Sequence, residues 1–312
     1  ASNTNSNLLL NKQSEWVVVE ADEFDRSFLH LSPFASIVTA MDPDHLDVYG
    51  DASNFTDGFR QYAMKIDPNG VCVVKEGLSL PSLCPSVSYA VDSDTADYNG
   101  YNLSYIDGEM QFFVDTKTSR RVRFQLGLPG IHNVSNALAC IALLDQLGLP
   151  MAEIQRGLAS FKGVKRRFDV QIKTSDLVYI DDYAHHPEEL KSLIDSLRMM
   201  YPEQKISAVF QPHLYTRTRD FGNAFSEQLS RFDSLILLPI YPAREREIIG
   251  VSSEWLLSMV HLKNKEVLSA TSVLEAMKEK TKGVVVTIGA GDIGEIVAPL
   301  KNILIQNIQG KQ

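Results

Sequence analysis

The chain has 312 residues, of which 44% are hydrophobic and 22% are charged, so it can bury substantial cores and its length predicts two domains. Thirty Lys and Arg residues against thirty-nine Asp and Glu residues give a net charge of -9 without a long basic run, which argues against a nucleic-acid partner. The three scattered cysteines, Cys72, Cys84 and Cys140, favour a reducing compartment, by default the cytoplasm. No apolar run approaches the ~20 residues of a membrane span, so no membrane partner is expected.

The first half of the chain predicts a mixed sheet. The runs "EWVVVEA" (15–21) and "ASIVTAM" (35–41) have the composition of buried strands, and Asp107-Gly108 lies between alternating segments in "NLSYIDGEMQFFV", which indicates a hairpin. We therefore expect a parallel core with an antiparallel flank. Buried helices are predicted for "HNVSNALACIALLDQLGLP" (132–150) and "MAEIQRGLASF" (151–161).

The second half alternates short apolar runs with segments long enough for helices, which predicts a parallel sheet. The predicted strands are "LVYID", "ISAVF", "LILLPIY" and "VVVTIGA". A helix should begin at Pro187, because leucines and an isoleucine follow it at helical spacing. Further helices are predicted in "RDFGNAFSEQLSRF", "SSEWLLSMV", "SVLEAMKEK" and "DIGEIVAPLKNIL". Residues from about 168 onward should form a doubly wound unit, and we place the domain boundary near Gly163, between residues 1–163 and 164–312.

Acidic side chains follow the two predicted strands of the first half. Glu20 ends the apolar run of "VVVEADEFD", where a carboxylate could hold Mg²⁺ against phosphate oxygens. The acids after it, Asp22, Glu23 and Asp25, are equally well explained as a solvated turn. His45, in "TAMDPDHLDVYG", is either a hydrogen-bonded loop residue or a second metal ligand beside Glu20.

Two further segments of the chain suggest nucleotide contacts. Asn133 and Asn136 share one face at the start of a helix, where they could cap it or pair with an adenine edge. The connector "FKGVKRRFD" carries Lys165, Arg166 and Arg167, which are either a solvated linker or a source of an arginine for a transferring phosphoryl group.

Polar clusters end two strands of the second half. "VYIDDYAHHPEE" could be a metal centre, a catalytic dyad or the polar top of a strand, although His185 and His186 are adjacent and should point apart. "FQPHLYTRTRD" contains arginines suited to an anionic substrate group. "GAGDIG" (289–294) matches G-x-G-x-x-G but lies too near the end of the chain for a βαβ unit, so glycines that pack strand against helix explain it equally well.

These motifs, in this order, resemble those of the Mur ligases, the ATP-dependent amide ligases of bacterial cell-wall synthesis. "DDYAHHP" and "QPHLYTRTR" favour the alanine-adding branch over the branch that recycles a muramyl tripeptide. The resemblance implies an α/β fold: a Mur-ligase central domain that binds ATP and Mg²⁺, with a mixed sheet truncated at its N-terminus, followed by a doubly wound Rossmann-like C-terminal ligase domain. It implies UDP-N-acetylmuramate and L-alanine as substrates, an acyl-phosphate intermediate, and a monomer or weak homodimer.

Site residues are implied by the same resemblance. Glu20 and His45 would be Mg²⁺ ligands and, with Arg167 and His185, catalytic residues. The nucleotide would contact Asn133, Asn136, Arg166 and Asp182, with Arg167 or its neighbour Arg166 as the arginine brought to the phosphates. Substrate groups would contact His213, Arg217 and Arg219.

The sequence departs from the family pattern in two places. No G-x-x-x-x-G-K-[ST] phosphate loop is present, so we expect this chain by itself to bind ATP poorly and to be inactive. Leu214 stands where relatives often carry arginine. The alternatives are a muropeptide-recycling ligase, a non-catalytic nucleotide-binding module, a zinc hydrolase built on Asp182, His185 and His213, and a nicotinamide-dependent reductase built on "GAGDIG".

Overall fold

The computed structural model describes residues 8–43, 46–106 and 109–310, without the side chains of residues 46 and 47. His45 and the predicted turn at Asp107-Gly108 therefore lie outside the described residues. The chain divides into two compact units, and the division falls between Lys162 and Gly163.

The N-terminal unit contains one six-stranded sheet. Its strands are β1 (Ala35–Val38), β2 (Val71–Lys75), β3 (Ser86–Val91), β4 (Tyr98–Ile106), β5 (Glu109–Asp115) and β6 (Val122–Leu126). Its helices are α1 (Leu46–Tyr49), α2 (Ala52–Ala63), α3 (Ile131–Gln146) and α4 (Met151–Ser160), and a 3₁₀ segment covers Phe24–His30. The strands are ordered β1-β2-β3-β4-β5-β6, parallel from β1 to β4 and antiparallel from β4 to β6.

This arrangement confirms the predicted parallel core with an antiparallel flank, because β4 and β5 pair on either side of the expected hairpin turn. The two predicted helices are also present, although α4 was expected to be buried and buries only Ile154. α3 packs against the sheet through Val134, Leu138 and Ile141, all of which are fully buried. Burial of an apolar helix stripe against a sheet is the main stabilising term for such a layer.

The predicted strand at 15–21 is absent from the structure. Residues 16–20 have no regular secondary structure, and Val17 and Val18 are 86% and 97% exposed. Trp16 contacts the ring of Phe34, with centroids 5.8 Å apart, but no described strand pairs with the segment. The prediction was wrong because apolar composition does not by itself make a strand, which also needs a partner for its backbone hydrogen bonds. Glu20 consequently does not end a strand.

The C-terminal unit contains a second six-stranded sheet. Its strands are β7 (Asp169–Lys173), β8 (Leu177–Asp182), β9 (Ile206–Phe210), β10 (Ser234–Leu237), β11 (Lys265–Val267) and β12 (Gly283–Ile288). Its helices are α5 (Pro187–Met200), α6 (Tyr215–Asp220), α7 (Gly222–Leu229), α8 (Ser253–Met259), α9 (Ala270–Ala276) and α10 (Val297–Gln309). The order is β11-β10-β9-β12-β8-β7, and every pair is parallel except β7 with β8.

Apolar side chains cover both faces of this second sheet, which confirms the doubly wound fold. One face packs against α5, α7 and α8, and the opposite face packs against α9 and α10. β7, an antiparallel edge strand, and the short β11 were not predicted. The single helix expected over 219–232 is two helices, α6 and α7, that meet at Phe221, and a 3₁₀ turn, Asp292–Ile296, precedes α10.

Candidate functional site

Two histidines and an arginine meet at the carboxyl edge of the second sheet. The ring centroids of His185, after β8, and His213, after β9, lie 5.8 Å apart. Arg217 Nη1 on α6 is 3.5 Å from His213 Nδ1, and the His213 ring stacks on Tyr241 with centroids 5.6 Å apart. Because β8 and β9 are the two parallel neighbours of β12, their carboxyl ends bring residues far apart in sequence into one cluster.

Both imidazoles of the cluster favour the neutral form. Burial, with His185 and Arg217 nearby, lowers the pKa of His213 to about 4. Burial also lowers the pKa of His185, although the carboxylate of Glu189 opposes that effect. Near pH 7 the cluster therefore combines two neutral imidazoles, which can accept a proton, with one guanidinium, which can bind an anion.

Glu189 connects His185 to the connector arginine. Its Oε2 accepts hydrogen bonds from the backbone N–H groups of His185 (2.8 Å) and His186 (3.1 Å), which closes the first turn of α5 after Pro187. Its Oε1 lies 3.5 Å from Arg167 Nη1. The two histidine rings have different neighbours, since His185 contacts Tyr183 whereas His186 contacts Phe221.

The adjacent arginines Arg166 and Arg167 have different environments. Arg166 donates from Nε to Asp181 Oδ2 (3.1 Å) and from Nη2 to the carbonyl of Gly289 (2.6 Å), and its side chain is 27% exposed. The Arg167 side chain is 55% exposed. Both guanidinium groups lie over the Tyr183 ring. Arg166 is thus held within its unit, and Arg167 is the one with a guanidinium accessible to a ligand.

The two aspartates that end β8 are buried and serve as hydrogen-bond acceptors. Asp182 accepts from the backbone N–H of Phe168 at Oδ2 (2.6 Å) and from that of Ala184 at Oδ1 (2.8 Å), and burial raises its pKa to about 6 despite these bonds. Asp181 accepts from Thr287 Oγ1 (2.7 Å) as well as from Arg166. These aspartates tie the connector to the sheet.

The glycines of "GAGDIG" permit close packing at the same edge of the sheet. A Cβ on Gly291 would lie 2.4 Å from Gln211 Oε1, and one on Gly294 would lie 2.9 Å from the guanidinium of Arg166. Gln211 in turn accepts from the N–H of Ile293 (2.9 Å) and donates to Asp292 Oδ1 (2.6 Å). The motif therefore brings β12, β9 and the connector together, which accounts for its glycines without a dinucleotide.

Arg219, the remaining predicted substrate contact of the C-terminal unit, does not join this cluster. Arg219 is exposed and donates to the neighbouring Asp220 Oδ1 at 2.7 Å. In the N-terminal unit, Asn133 is half-buried and donates from Nδ2 to the carbonyl of Pro129 (2.7 Å), and Asn136 is exposed one turn on. Gly130 precedes α3 with φ of 103°, a conformation that favours glycine.

No complete metal site is present among the described residues. Glu20 is exposed and outside any strand, while His45 lies outside the described part of the chain. Nowhere in the described ranges do three His, Cys, Asp or Glu side chains converge on a point where they could hold one ion. Asp182, His185 and His213 form no such group either, because both Asp182 oxygens accept hydrogen bonds from backbone amides. Within the same ranges no helix is long and apolar enough to cross a membrane.

Sequence reasoning missed several residues that build this site. Asp181 accepts a hydrogen bond from Arg166, and Tyr241 stacks on His213. Gln211 bonds to Asp292, and Glu245 bonds to Thr216, the neighbour of Arg217. Asp181 and Gln211 directly end or follow apolar strands, a signal that could have identified them. Glu245 has no such signal, because its partner Thr216 is 29 residues away in the chain.

Two family descriptions match the chain, one over each unit. Residues 3–144 match the Mur ligase middle domain, and residues 166–292 match the glutamate ligase domain of Mur ligases.

Similar proteins carry the name UDP-N-acetylmuramate-L-alanine ligase. The protein of that name from Flavobacterium psychrophilum is 45% identical over 302 residues, which cover 97% of this chain and 66% of that protein. The one from Phocaeicola vulgatus is 43% identical, with 97% of this chain and 67% of that protein covered. The chain thus spans about two thirds of the length of these relatives.

Solved structures agree with the fold. UDP-N-acetylmuramate-alanine ligase MurC from Thermotoga maritima superposes with a TM-score of 0.75 at 24% identity, covering 94% of this chain and 63% of that one. MurF ligase from the same organism, in complex with ADP, gives a TM-score of 0.70 at 16% identity, with 92% and 65% covered. At these identities the likeness concerns the fold alone.

Proposed function

Because this chain belongs to the Mur ligase family, we propose that the protein containing it joins L-alanine to UDP-N-acetylmuramate at the expense of ATP. The observation that carries the proposal is the 45% identity to enzymes of that name over 97% of the chain, a span that includes the cluster of His185, His213 and Arg217.

The proposed chemistry has three steps. The muramic acid carboxylate attacks the γ-phosphorus of ATP, ADP leaves, and an acyl phosphate forms. The amine of L-alanine then attacks the acyl carbon, and the tetrahedral adduct expels inorganic phosphate as the amide forms. A free carboxylate is a poor acyl electrophile, and phosphorylation converts one of its oxygens into part of a good leaving group.

The histidine and arginine cluster is suited to hold the amino acid. We assign the alanine carboxylate to Arg217, since a guanidinium pairs with a carboxylate through two parallel hydrogen bonds. Alanine in solution carries an ammonium group, which must lose a proton before it can attack. His185 or His213 would accept that proton as a neutral imidazole, and His213, whose pKa is lowered to about 4, is a weak base for this step.

For the arginine brought to the phosphates we propose Arg167. The Arg166 guanidinium is occupied by Asp181 and Gly289, whereas Arg167 is mostly exposed beside Glu189. Arg166 and Asp182, proposed from sequence as nucleotide contacts, hold the connector in place. Asn133 and Asn136 remain proposed nucleotide contacts, and Arg219 a proposed substrate contact.

Mg²⁺ is proposed only on the family resemblance. The ion prefers an octahedron of oxygen ligands, but Glu20 is solvent-exposed and no three His, Cys, Asp or Glu side chains among the described residues are placed to hold one ion. The described residues alone therefore form no site for the ion, and we assign no chemical step to it. Glu20 and His45 stay proposed ligands.

The proposal is tested by phosphate release from the complete gene product that contains this chain. Release should require ATP, UDP-N-acetylmuramate and L-alanine together, and mass spectrometry should detect the alanyl product. A muramyl tripeptide accepted in place of L-alanine, with no alanine-dependent turnover, would contradict the proposal and favour the recycling branch of the family.

The 312-residue chain assayed alone is the matched control. Since it contains no G-x-x-x-x-G-K-[ST] segment to bind the phosphates, we expect no measurable phosphate release from it. Turnover by this chain at a rate near that of the complete protein would refute this expectation.

A further inference from the structure

The first turn of α6 is anchored by a residue from a different loop. The residue before α6, Leu214, has φ of 70° and no side chain that can cap the helix. Glu245 supplies the missing acceptor: its Oε2 accepts from the Thr216 backbone N–H at 3.0 Å, and its Oε1 accepts from Thr216 Oγ1. One carboxylate thus uses both oxygens on a single residue of the helix that carries Arg217.

The same two segments are joined a second time beside His213. The Tyr241 N–H donates to the carbonyl of Pro212, and the Leu214 N–H donates to the carbonyl of Tyr241, both at 2.9 Å. His213 lies between these bonds and stacks on the Tyr241 ring. The loop that follows β10 therefore fixes the backbone on either side of His213 as well as the start of α6.

Backbone strain makes these bonds necessary. Leu214 and Ala243 both have positive φ, at 70° and 48°, although neither is glycine. Such conformations persist where the surrounding contacts over-determine them, and they occur often at functional sites. Without the carboxylate, the strained turn at Leu214 would be free to relax and to move Arg217 away from its 3.5 Å approach to His213.

We propose that Glu245 is a positioning residue for amino-acid binding: through Thr216 it holds α6 so that Arg217 and His213 face the substrate together. This inference rests on the proposed function, in which Arg217 binds the alanine carboxylate. Glu245 holds Arg217 through Thr216, its charge also acts on His213, and it contacts no reacting atom. A carboxylate suits this position because its negative charge strengthens both hydrogen bonds from Thr216, whereas a neutral amide would have to use the hydroxyl as an acceptor for one of them.

The activity test uses the complete enzyme. Glu245→Gln should raise KM for L-alanine roughly tenfold, because the hydrogen bonds from Thr216 lose their charged acceptor, and leave KM for ATP unchanged. Thr216→Val should give a similar effect, and the double variant should be no worse than either single one. Thr216→Ser, which keeps both donors, should retain the wild-type KM for L-alanine.

A matched control is Glu254→Gln, an exposed acid on α8 that makes the same change of charge. It should leave all three KM values unchanged. If Glu245→Gln leaves KM for L-alanine unchanged, or raises KM for all three substrates equally, the positioning role is wrong.

A second measurement on the 312-residue chain separates this inference from the proposed function. In NMR spectra, Glu245→Gln should shift the His213 ring signals and speed hydrogen exchange at the Thr216 amide, while Glu254→Gln changes neither. Lack of alanine-dependent turnover in the wild-type enzyme would refute the proposed function but leave this measurement valid. Unchanged His213 and Thr216 signals would refute the positioning role whatever the activity.

Discussion

Two segments of the chain, "WVVVEA" and "LVYIDD", are similar in sequence and opposite in structure. Each is an apolar run followed by acid, Glu20 in the first and Asp181 and Asp182 in the second. The second is β8, buried at all six positions and paired with β12 on one side and β7 on the other. The first has no strand partner among the described residues, and Val18 is 97% exposed.

The difference shows that backbone partners, and not composition, decide whether an apolar run becomes a strand. A strand removes its N–H and C=O groups from water only if neighbouring strands accept and donate in return. The difference extends to the acids at the two ends: Asp181 and Asp182 are buried and fully engaged, whereas Glu20 faces solvent. Four predictions test this contrast, beginning with the largest expected effect.

Truncation of one apolar side chain in each segment should have very unequal effects. Ile180→Ala removes a fully buried side chain of β8 and should lower the free energy of unfolding by about 2–5 kcal/mol. Val18→Ala should change it by less than about 0.5 kcal/mol. Urea denaturation of both variants measures this. If Val18→Ala were as costly as Ile180→Ala, residues 16–20 would be buried in solution.

Substitution of the two adjacent connector arginines should have different effects, on stability for Arg166 and on activity for Arg167. Arg166→Gln leaves the carboxylate of Asp181, 1% exposed, without its cation and should cost roughly 3 kcal/mol of stability. Arg167→Gln should leave stability within about 0.5 kcal/mol of wild type. In the complete enzyme, however, it should lower kcat roughly 100-fold if its guanidinium faces the phosphates. Thermal denaturation and phosphate-release assays separate the two effects, and a stable Arg166→Gln variant would contradict the assignment.

Removal of a carboxylate should lower the stability of the fold at Asp182, which ends β8, and not at Glu20 in the exposed segment. Asp182→Ala leaves the buried N–H groups of Phe168 and Ala184 without acceptors, for a cost of about 1–3 kcal/mol. Glu20→Ala is the matched control and should be neutral to within about 0.5 kcal/mol. Equal effects in urea denaturation would show that the two acids have equivalent environments.

The pH dependence of stability gives the most specific test of the buried carboxyl group of Asp182. Burial raises the pKa of Asp182 to about 6 in the folded chain, against about 4 for a free aspartate. Folding therefore favours the protonated form, so this contribution is full below pH of about 4 and is lost as pH rises through about 6. Relative to Asp182→Asn, the wild type should lose up to roughly 3 kcal/mol across that range. An identical pH profile for both proteins would contradict the raised pKa.

Local sequence patterns were sufficient for most of the secondary structure. Apolar runs with branched residues identified β8, β9 and β12, and helical spacing after Pro187 identified α5. They failed for the short edge strands β7 and β11, whose alternation is too brief to stand out, and five elements of the first half were not predicted: β2, β3, β6, α1 and α2. They failed also at Phe221, where a predicted helix is divided into α6 and α7.

The candidate site was predicted in part. His185, His213 and Arg217 were identified from their places after strands or on the next helix, and the structure brings them together. The sequence could not separate Arg166 from Arg167, because adjacent residues of one type differ only in the partners that the fold supplies.

The sequence by itself determined the two α/β units, the order of their motifs and the residue types gathered at the sheet edge, because hydrophobic periodicity and strand ends are local properties. Only the tertiary structure decided that residues 16–20 stay exposed, that Asp181 holds Arg166, and that Glu245 caps α6. Each of these depends on a hydrogen-bond partner distant in the chain, or on the lack of one among the described strands, and neither can be read from neighbouring residues.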